Sequence, residues 1–329
     1  MSHRTDVLAL LADGQFHSGS GIGDALGITR AAVHKIIERV TAEGVVCERR
    51  RGLGYRLDPR CYPLAASRIA QYWPQAPRVR LELLQEVDST SRHLLREADR
   101  GAEIHGRCCL AESQTDGAGR SGRRWIATAY SNILLSCAWR FDVSVSQLGG
   151  LSLAAGVAVR SALVACGLDT VLLKWPNDLV CGAHKLGGIL LDVRAQGEAP
   201  ALVVCGVGVN VFIAPADGAR IDQPWTDMTR ELGVPVDRNR VAAELLRHLT
   251  HLFADFAAHG FAHWQAAWEQ HHRDAGRRVR VVDPTGRTVS GEALGTDAQG
   301  GLRLRDAGRV HTVYAGEVGV IRESSDRSR

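Results

Sequence analysis

Apolar positions along the chain change rhythm twice. The first sixty residues read as helices. An apolar run from Thr5 ends at Gly14, and a shorter one covers Ser20 to Leu26. Gly27 and Ile28 then turn the chain, and Thr29 is placed to cap a third helix. Val33, Ile36, Ile37 and Val40 recur there at helical spacing and predict one inward face. Residues 45–57 become β-prone around Gly52, which predicts a hairpin. Pro59 to Pro63 break regular structure and mark a boundary.

Beyond that boundary the period shortens. Strands are predicted over Val79–Val87, Cys108–Glu112, Asn132–Phe141, Val171–Trp175, Leu186–Val193 and Ala201–Val211, with helices over Ser91–Ala98 and Gln147–Cys166. Asp178–His184 and Arg194–Pro200 are too short for crossover helices, so the last three strands should form an antiparallel meander. Asp237–His259 is helical again, with Val241, Leu245, Leu249 and Phe253 on one stripe, and a second helix runs through Trp264 and Trp268. From Arg277 onward short strands and turns return: Val279–Val282, Thr288–Leu294, Leu302–Arg305 and Val310–Tyr314.

The expected fold is therefore α+β in three parts. Residues 1–62 form a winged helix-turn-helix, 63–273 a mixed, largely antiparallel sheet with helices, and 274–323 a small barrel. Residues 324–329 form a tail.

Composition narrows the classes. With 45% hydrophobic and 23% charged residues, a disordered chain is excluded. A net charge of +4 is too small for wholesale attraction to nucleic acid or membrane, so the placement of the cations decides. Eight scattered cysteines without a C-x-x-C pair point to reduced, buried thiols and a cytoplasmic protein. The most apolar stretch, Gln147–Leu168, contains Arg160 and reads as a buried helix; no membrane partner is expected. Histidines 248, 251, 259, 263, 271 and 272 lack metal-ligand spacing and read as surface or capping residues, and no protein-bound metal is predicted.

The cations cluster in two places. Arg30, His34 and Lys35 occupy the exposed face of the third helix, beside Gly19, Ser20 and Thr29, and suit a major groove. Arg49, Arg50 and Arg51 lie on the hairpin, where a wing would lay them on phosphate. The second cluster follows Gly117-Ala118-Gly119-Arg120-Ser121-Gly122. This spells a dinucleotide fingerprint, but no crossover helix fits between it and the next strand. The loop offers backbone N–H groups and Arg120, Arg123 and Arg124 to a polyanion, or is simply basic and flexible. Lys174 ends a strand before Trp175-Pro176-Asn177-Asp178 as a cation beside an apolar wall, and Gly206 to Asn210 permit close approach of a ligand or a backbone.

Together, Gly14-Gln-Phe-His-Ser18, Ser89-Thr90, Gly117-Ala-Gly-Arg120, Lys174-Trp-Pro-Asn-Asp178, Lys185-Leu-Gly-Gly-Ile189 and Gly206-Val-Gly-Val-Asn210 resemble the bifunctional biotin–protein ligase and biotin operon repressor family. The resemblance implies a class II synthetase-like biotin/lipoate ligase fold with an SH3-like C-terminal domain. It implies that biotin and ATP, with Mg²⁺, give biotinyl-5′-adenylate, and that biotin passes to a lysine of a biotin carboxyl carrier protein. An adenylate-loaded homodimer would sit on operator DNA. Matched by position, Ser89, Thr90, Ser91, Gln114, Ala118, Gly119, Arg120 and Lys174 would bind biotin, with Arg120 and Lys174 catalytic. Gly117, Arg123, Arg124, Trp125, Asn177, Asn210 and Trp225 would hold the nucleotide, and residues 211–225 would fold over it. Ser91 replaces a frequent Asn, and Ala118 a frequent Arg. A regulator that binds a small effector without chemistry, and a lipoate ligase, stand as rivals.

Overall fold

The computed structural model describes residues 3–42, 44–61, 63–74, 79–195 and 200–321. Tyr62 within the expected boundary, part of the Arg194–Pro200 turn and the 324–329 tail lie outside these residues.

Three helices open the chain: α1 (His3–Leu11), α2 (Gly19–Leu26) and α3 (Arg30–Ala42). Local chemistry sets their limits. Ser18 Oγ accepts from Gly21 N at 2.9 Å, and Thr29 Oγ1 from Ala32 N at 3.1 Å, satisfying two donors that a helix start leaves free. Gly27 closes α2 at φ +66, a left-handed conformation that suits glycine. The hairpin follows as β1 (Cys47–Arg50) and β2 (Gly54–Leu57), paired antiparallel. Val33, Ile37 and Val40 of α3 are buried with Leu8, Leu11, Ile22 and Leu57, while Ile36 is only half-buried.

The middle of the chain contains α4 (Ala66–Tyr72), β3 (Arg80–Val87), α5 (Thr90–Asp99), β4 (Arg107–Gln114), β5 (Ile133–Phe141), α6 (Leu151–Ala165), β6 (Leu172–Lys174), β7 (Asp178–Cys181), β8 (His184–Ala195) and β9 (Ala201–Val209). Short α7 (Pro215–Gly218) and α8 (Met228–Leu232) precede α9 (Arg238–His259) and α10 (Ala262–Gln270). The seven strands are ordered β3-β4-β5-β9-β8-β7-β6; β3 and β4 run parallel and every other pair antiparallel. The meander is present, with one correction. Asp178–His184 is not simply a turn, because it holds β7, a four-residue strand too short to announce itself by alternation.

Strand periodicity separates two faces of the sheet. Cys108, Leu135, Cys137, Val203 and Cys205 point to the main core, where α6 and α9 pack together. Cys109, Ala138, Leu202 and Val204 point to the other face and meet α5. Helix α6 belongs to the one described segment apolar and long enough to cross a membrane, Val145–Ala165, and it is mostly buried in this core.

The C-terminal part is a five-stranded antiparallel sheet of β10 (Arg278–Val282), β11 (Thr288–Thr296), β12 (Leu302–Asp306), β13 (Arg309–Val313) and β14 (Glu317–Val320), ordered β13-β12-β11-β10-β14. Strand β14 is not among the strands that the sequence predicts. All eight cysteines are free; Cys47 and Cys166 are half-exposed rather than buried. His272 departs from the surface reading: it is buried against Trp268, and burial pushes its imidazole down to about 4.

Candidate active site

The α5 face of the sheet carries a cleft floored by glycines. Gly206 and Gly208 of β9 project no side chain where space is shortest. A Cβ on Gly206 would lie 2.7 Å from Ser91 Oγ, and one on Gly208 would lie 2.6 Å from the Trp125 ring. At one end, the N-terminus of α5 presents Ser89, Thr90 and Ser91, all buried. Gln114 Oε1 accepts from Thr90 N at 2.8 Å and from Thr90 Oγ1 at 3.1 Å. Ser136 Oγ, from β5, completes a chain of hydroxyls, 2.7 Å from Thr90 Oγ1 and 2.8 Å from Ser91 Oγ. This end can donate and accept several hydrogen bonds inside an apolar wall, the need of a small polar head on an apolar body.

The other end is cationic. The loop after β4 closes on itself: Gly119 N donates to Arg123 O at 2.7 Å and Trp125 N to Gly117 O at 2.8 Å. Arg120 reaches Asn177 Oδ1 at 3.4 Å and Gly316 O at 3.5 Å, and Arg123 is ion-paired with Glu317 of β14. Arg124 donates to Thr115 O at 3.1 Å. Opposite, Lys174 ends β6 and Lys185 pairs with Asp178 at 2.7 Å. Burial lowers the pKa of both Lys174 and Arg120, with Asp178 working against it in each case. Desolvated cations bind a phosphate more strongly than hydrated ones. The Trp125 indole N–H is buried without a partner, a free donor in the wall of the cleft.

An open cleft lies between these ends. Ser89, Thr90, Ser91, Gln114, Ala118, Gly119, Arg120 and Lys174 all line it, as do Arg123, Arg124, Trp125 and Asn177. Three expected nucleotide residues stand back. Gly117 is buried at the base of the loop, and Asn210 and Trp225 line an adjoining hollow that shares Arg124, Trp125, Lys185 and Gln223 with the cleft. Trp225 donates to Gly218 O at 3.1 Å with the Arg230 guanidinium 3.8 Å over its ring, so this part of the 211–225 segment lies beside the cleft. Ser136, Lys185, Asp178 and Glu317 were not singled out as site residues. A lone serine inside the apolar run 133–138 was the available signal for Ser136.

Residues 83–210 match the Biotin/lipoate A/B protein ligase family, and residues 275–319 match the Biotin protein ligase C terminal domain. The chain is 34% identical over 313 residues, 95% of each chain, to the bifunctional ligase/repressor BirA of Escherichia coli K12. It belongs to the bifunctional biotin ligase/repressor family. The biotin–[acetyl-CoA-carboxylase] ligase of Mycobacterium tuberculosis is 42% identical over 245 residues, covering 72% of this chain and 88% of that one. The biotin protein ligase of Aquifex aeolicus, solved in complex with biotin and ATP, has the same fold, with a TM-score of 0.61 and 24% identity over 74% of this chain and 99% of that one.

A second group of cations lies on the N-terminal helices and hairpin. Arg30 and Lys35 are exposed on α3, with Thr29 and Ser20 exposed beside them, and Arg49, Arg50 and Arg51 are exposed on the hairpin. Gly19 and His34 are less exposed than these. Gly19 is buried, where a Cβ would meet Arg30 Cγ at 3.3 Å and the Tyr55 ring at 3.4 Å, so it sets close packing rather than offering surface. His34 is half-buried, with Nδ1 3.0 Å from the Tyr55 hydroxyl and Nε2 3.1 Å from Glu38.

Proposed function

We propose that the cleft condenses biotin with ATP to biotinyl-5′-adenylate and pyrophosphate, then passes the biotinyl group to one lysine of a biotin carboxyl carrier protein. The observation that carries this reading is the polarity of the cleft: buried hydroxyls at one end, and at the other a cluster of cations of which Arg120, Lys174 and Lys185 are half-buried, joined by a glycine floor. The two reactants meet where the ends meet.

Ser89, Thr90, Ser91 and Gln114 take the ureido head of biotin, with Ser136 behind them. Ala118 and Gly119 border its side chain, which brings its carboxylate to Arg120 and Lys174. Attack of that carboxylate on the α-phosphorus forms the C–O–P anhydride and breaks the bond to pyrophosphate. The transition state gathers negative charge on phosphoryl oxygens, so fixed cations contribute more than a proton donor would. Gly117 shapes the loop, Arg123 and Arg124 meet the phosphates, and Trp125 and Asn177 flank the adenylate. Asn210 and Trp225 border the adjoining hollow.

The carboxylates bordering the cleft are Asp178 and Glu317, each already paired with a cation. This donor set fits a magnesium ion carried chiefly by the phosphates rather than a protein cage. Such an ion would neutralise phosphate charge, and Asp178 and Glu317 are the residues that would hold it.

The same reading assigns residues 1–62 to operator binding, 63–273 to catalysis and 274–323 to a C-terminal domain. The adenylate-loaded chain binds operator DNA as a homodimer, so the first product doubles as co-repressor. Biotin-dependent exchange of pyrophosphate into ATP, followed by label transfer to a carrier domain, tests the proposal. Exchange without biotin dependence sinks it. Absence of any exchange favours a pure regulator, and exchange driven by lipoate favours that ligase instead.

A further inference from the structure

One cross-strand row of the sheet places Glu82, Cys109, Ser136 and Gly206 side by side on the α5 face. Ser136 and Gly206 belong to the cleft; Glu82 and Cys109 continue the row to the sheet edge beneath α5. His93, two residues after Ser91, comes down from the helix onto this pair. Its Nε2 lies 2.9 Å from a Glu82 carboxylate oxygen. One ligand atom each from Glu82, His93 and Cys109 lie within 4.8 Å of one another, the one such trio among the described residues.

From this geometry we infer that Glu82, His93 and Cys109 form a binding site for a thiophilic divalent cation of the zinc class, next to the cleft and separate from it.

The ligand types argue for this class. Thiolate, imidazole and carboxylate together match zinc or cobalt(II), whereas magnesium and calcium take oxygen alone. A divalent ion on one thiolate, one carboxylate and one neutral imidazole gives a net charge of zero, which lowers the penalty of burial. The cysteines facing the main core lack such company. Cys108 and Cys137 contact each other, 3.0 Å apart, among aliphatic side chains. Among the described residues, Cys109 is the one buried thiol grouped with an imidazole and a carboxylate. Without metal its thiol holds its proton: burial, and then the charge of Glu82, push it up to about 12. The arriving ion must displace that proton, as metal binding to thiols requires. Glu82 is part-exposed, which leaves a route from solvent and a fourth position for water or another small ligand.

Cobalt(II) chloride titrated into the full-length, ligand-free protein is the direct test. One equivalent should produce a thiolate-to-cobalt charge-transfer band in the near ultraviolet and visible d–d bands of tetrahedral intensity, both removed by zinc. Cys109→Ser should abolish the charge-transfer band. His93→Asn and Glu82→Gln should weaken cobalt binding at least tenfold; with Glu82 part-exposed, the second variant is expected to fold even if the others do not. A wild-type protein with no charge-transfer band overturns the inference, as does a band that survives Cys109→Ser or one that keeps full affinity in Glu82→Gln.

Discussion

Thr90 Oγ1 and Ser136 Oγ stand 2.7 Å apart, joining the first turn of α5 to the middle of β5. Each hydroxyl has one hydrogen, so the Thr90, Ser91, Ser136 and Gln114 chain can reorient to suit a head group that both donates and accepts. Ser136 is fully buried, and its loss leaves two hydroxyls short of a partner. Ser136→Ala should raise the KM for biotin about tenfold, the equivalent of roughly 1.4 kcal/mol, with the KM for ATP unchanged. Steady-state pyrophosphate exchange with each substrate varied separately reads this out. An equal rise in both KM values would mark Ser136 as merely structural.

Lys174 supplies a second expectation, with a defined sign. Its ammonium is desolvated, so it loses its proton below the usual lysine value of 10.5. In the proposed mechanism adenylation needs the cation, so its rate should fall as pH rises through that lowered pKa. Stability should move the other way. In the window between the lowered value and 10.5 the unfolded chain binds more protons at this site than the folded one, so the site's contribution to stability rises with pH. Lys174→Ala should reduce adenylation on the order of 10²-fold, about 2.7 kcal/mol, without lowering Tm. Lys174→Arg should shift the alkaline fall to higher pH. An unchanged alkaline limb in Lys174→Arg would remove Lys174 from the reaction.

Ala118 sits exposed on the rim of the cleft, paired through backbone with Arg124. Space is therefore open for a longer side chain. Ala118→Arg should add a guanidinium to a loop that already holds three, and slow release of the adenylate about fivefold, roughly 1 kcal/mol at an exposed site. Loss of labelled adenylate from the isolated complex, measured by rapid filtration, gives the rate. Equal release from both proteins would show that Arg123 and Arg124 already fulfil this role.

Most of the cation end was readable because loop chemistry is local. Gly117 to Arg124 and Lys174 to Asp178 each carry their motif within eight residues. The hydroxyl end was only half readable: Ser89 to Ser91 sit together, but Ser136 is 45 residues beyond Ser91 and meets it only because α5 packs on β5. Glu317 was missed for the same reason. Its partner Arg123 lies 194 residues earlier, and only the packing of the C-terminal sheet brings the two together. Strand β7 escaped because four residues between two tight turns carry too little alternation to distinguish a strand from a turn. Gly19 and His34 show what helical spacing alone leaves out. Helical spacing places both near the exposed face of the helix pair, while Tyr55, brought in by the hairpin, covers them.

The hairpin cations lead to the last expectation. Glu48 pairs with Arg50 at 3.1 Å and also with Arg56, so part of the basic wing is internally neutralised. Arg51, exposed at the tip of the hairpin, is the residue we propose for a phosphate contact. Each phosphate neutralised contributes about 0.9 to the slope of log K against log salt. Arg51→Ala should therefore weaken operator binding by a similar factor on every sequence and lower that slope by about 1 per chain bound. Fluorescence anisotropy on operator and scrambled duplexes at several salt concentrations, with biotin and ATP present, separates this from base reading. If Arg51→Ala changed the preference for operator over scrambled DNA while leaving the slope intact, the wing would be reading bases rather than gripping the backbone.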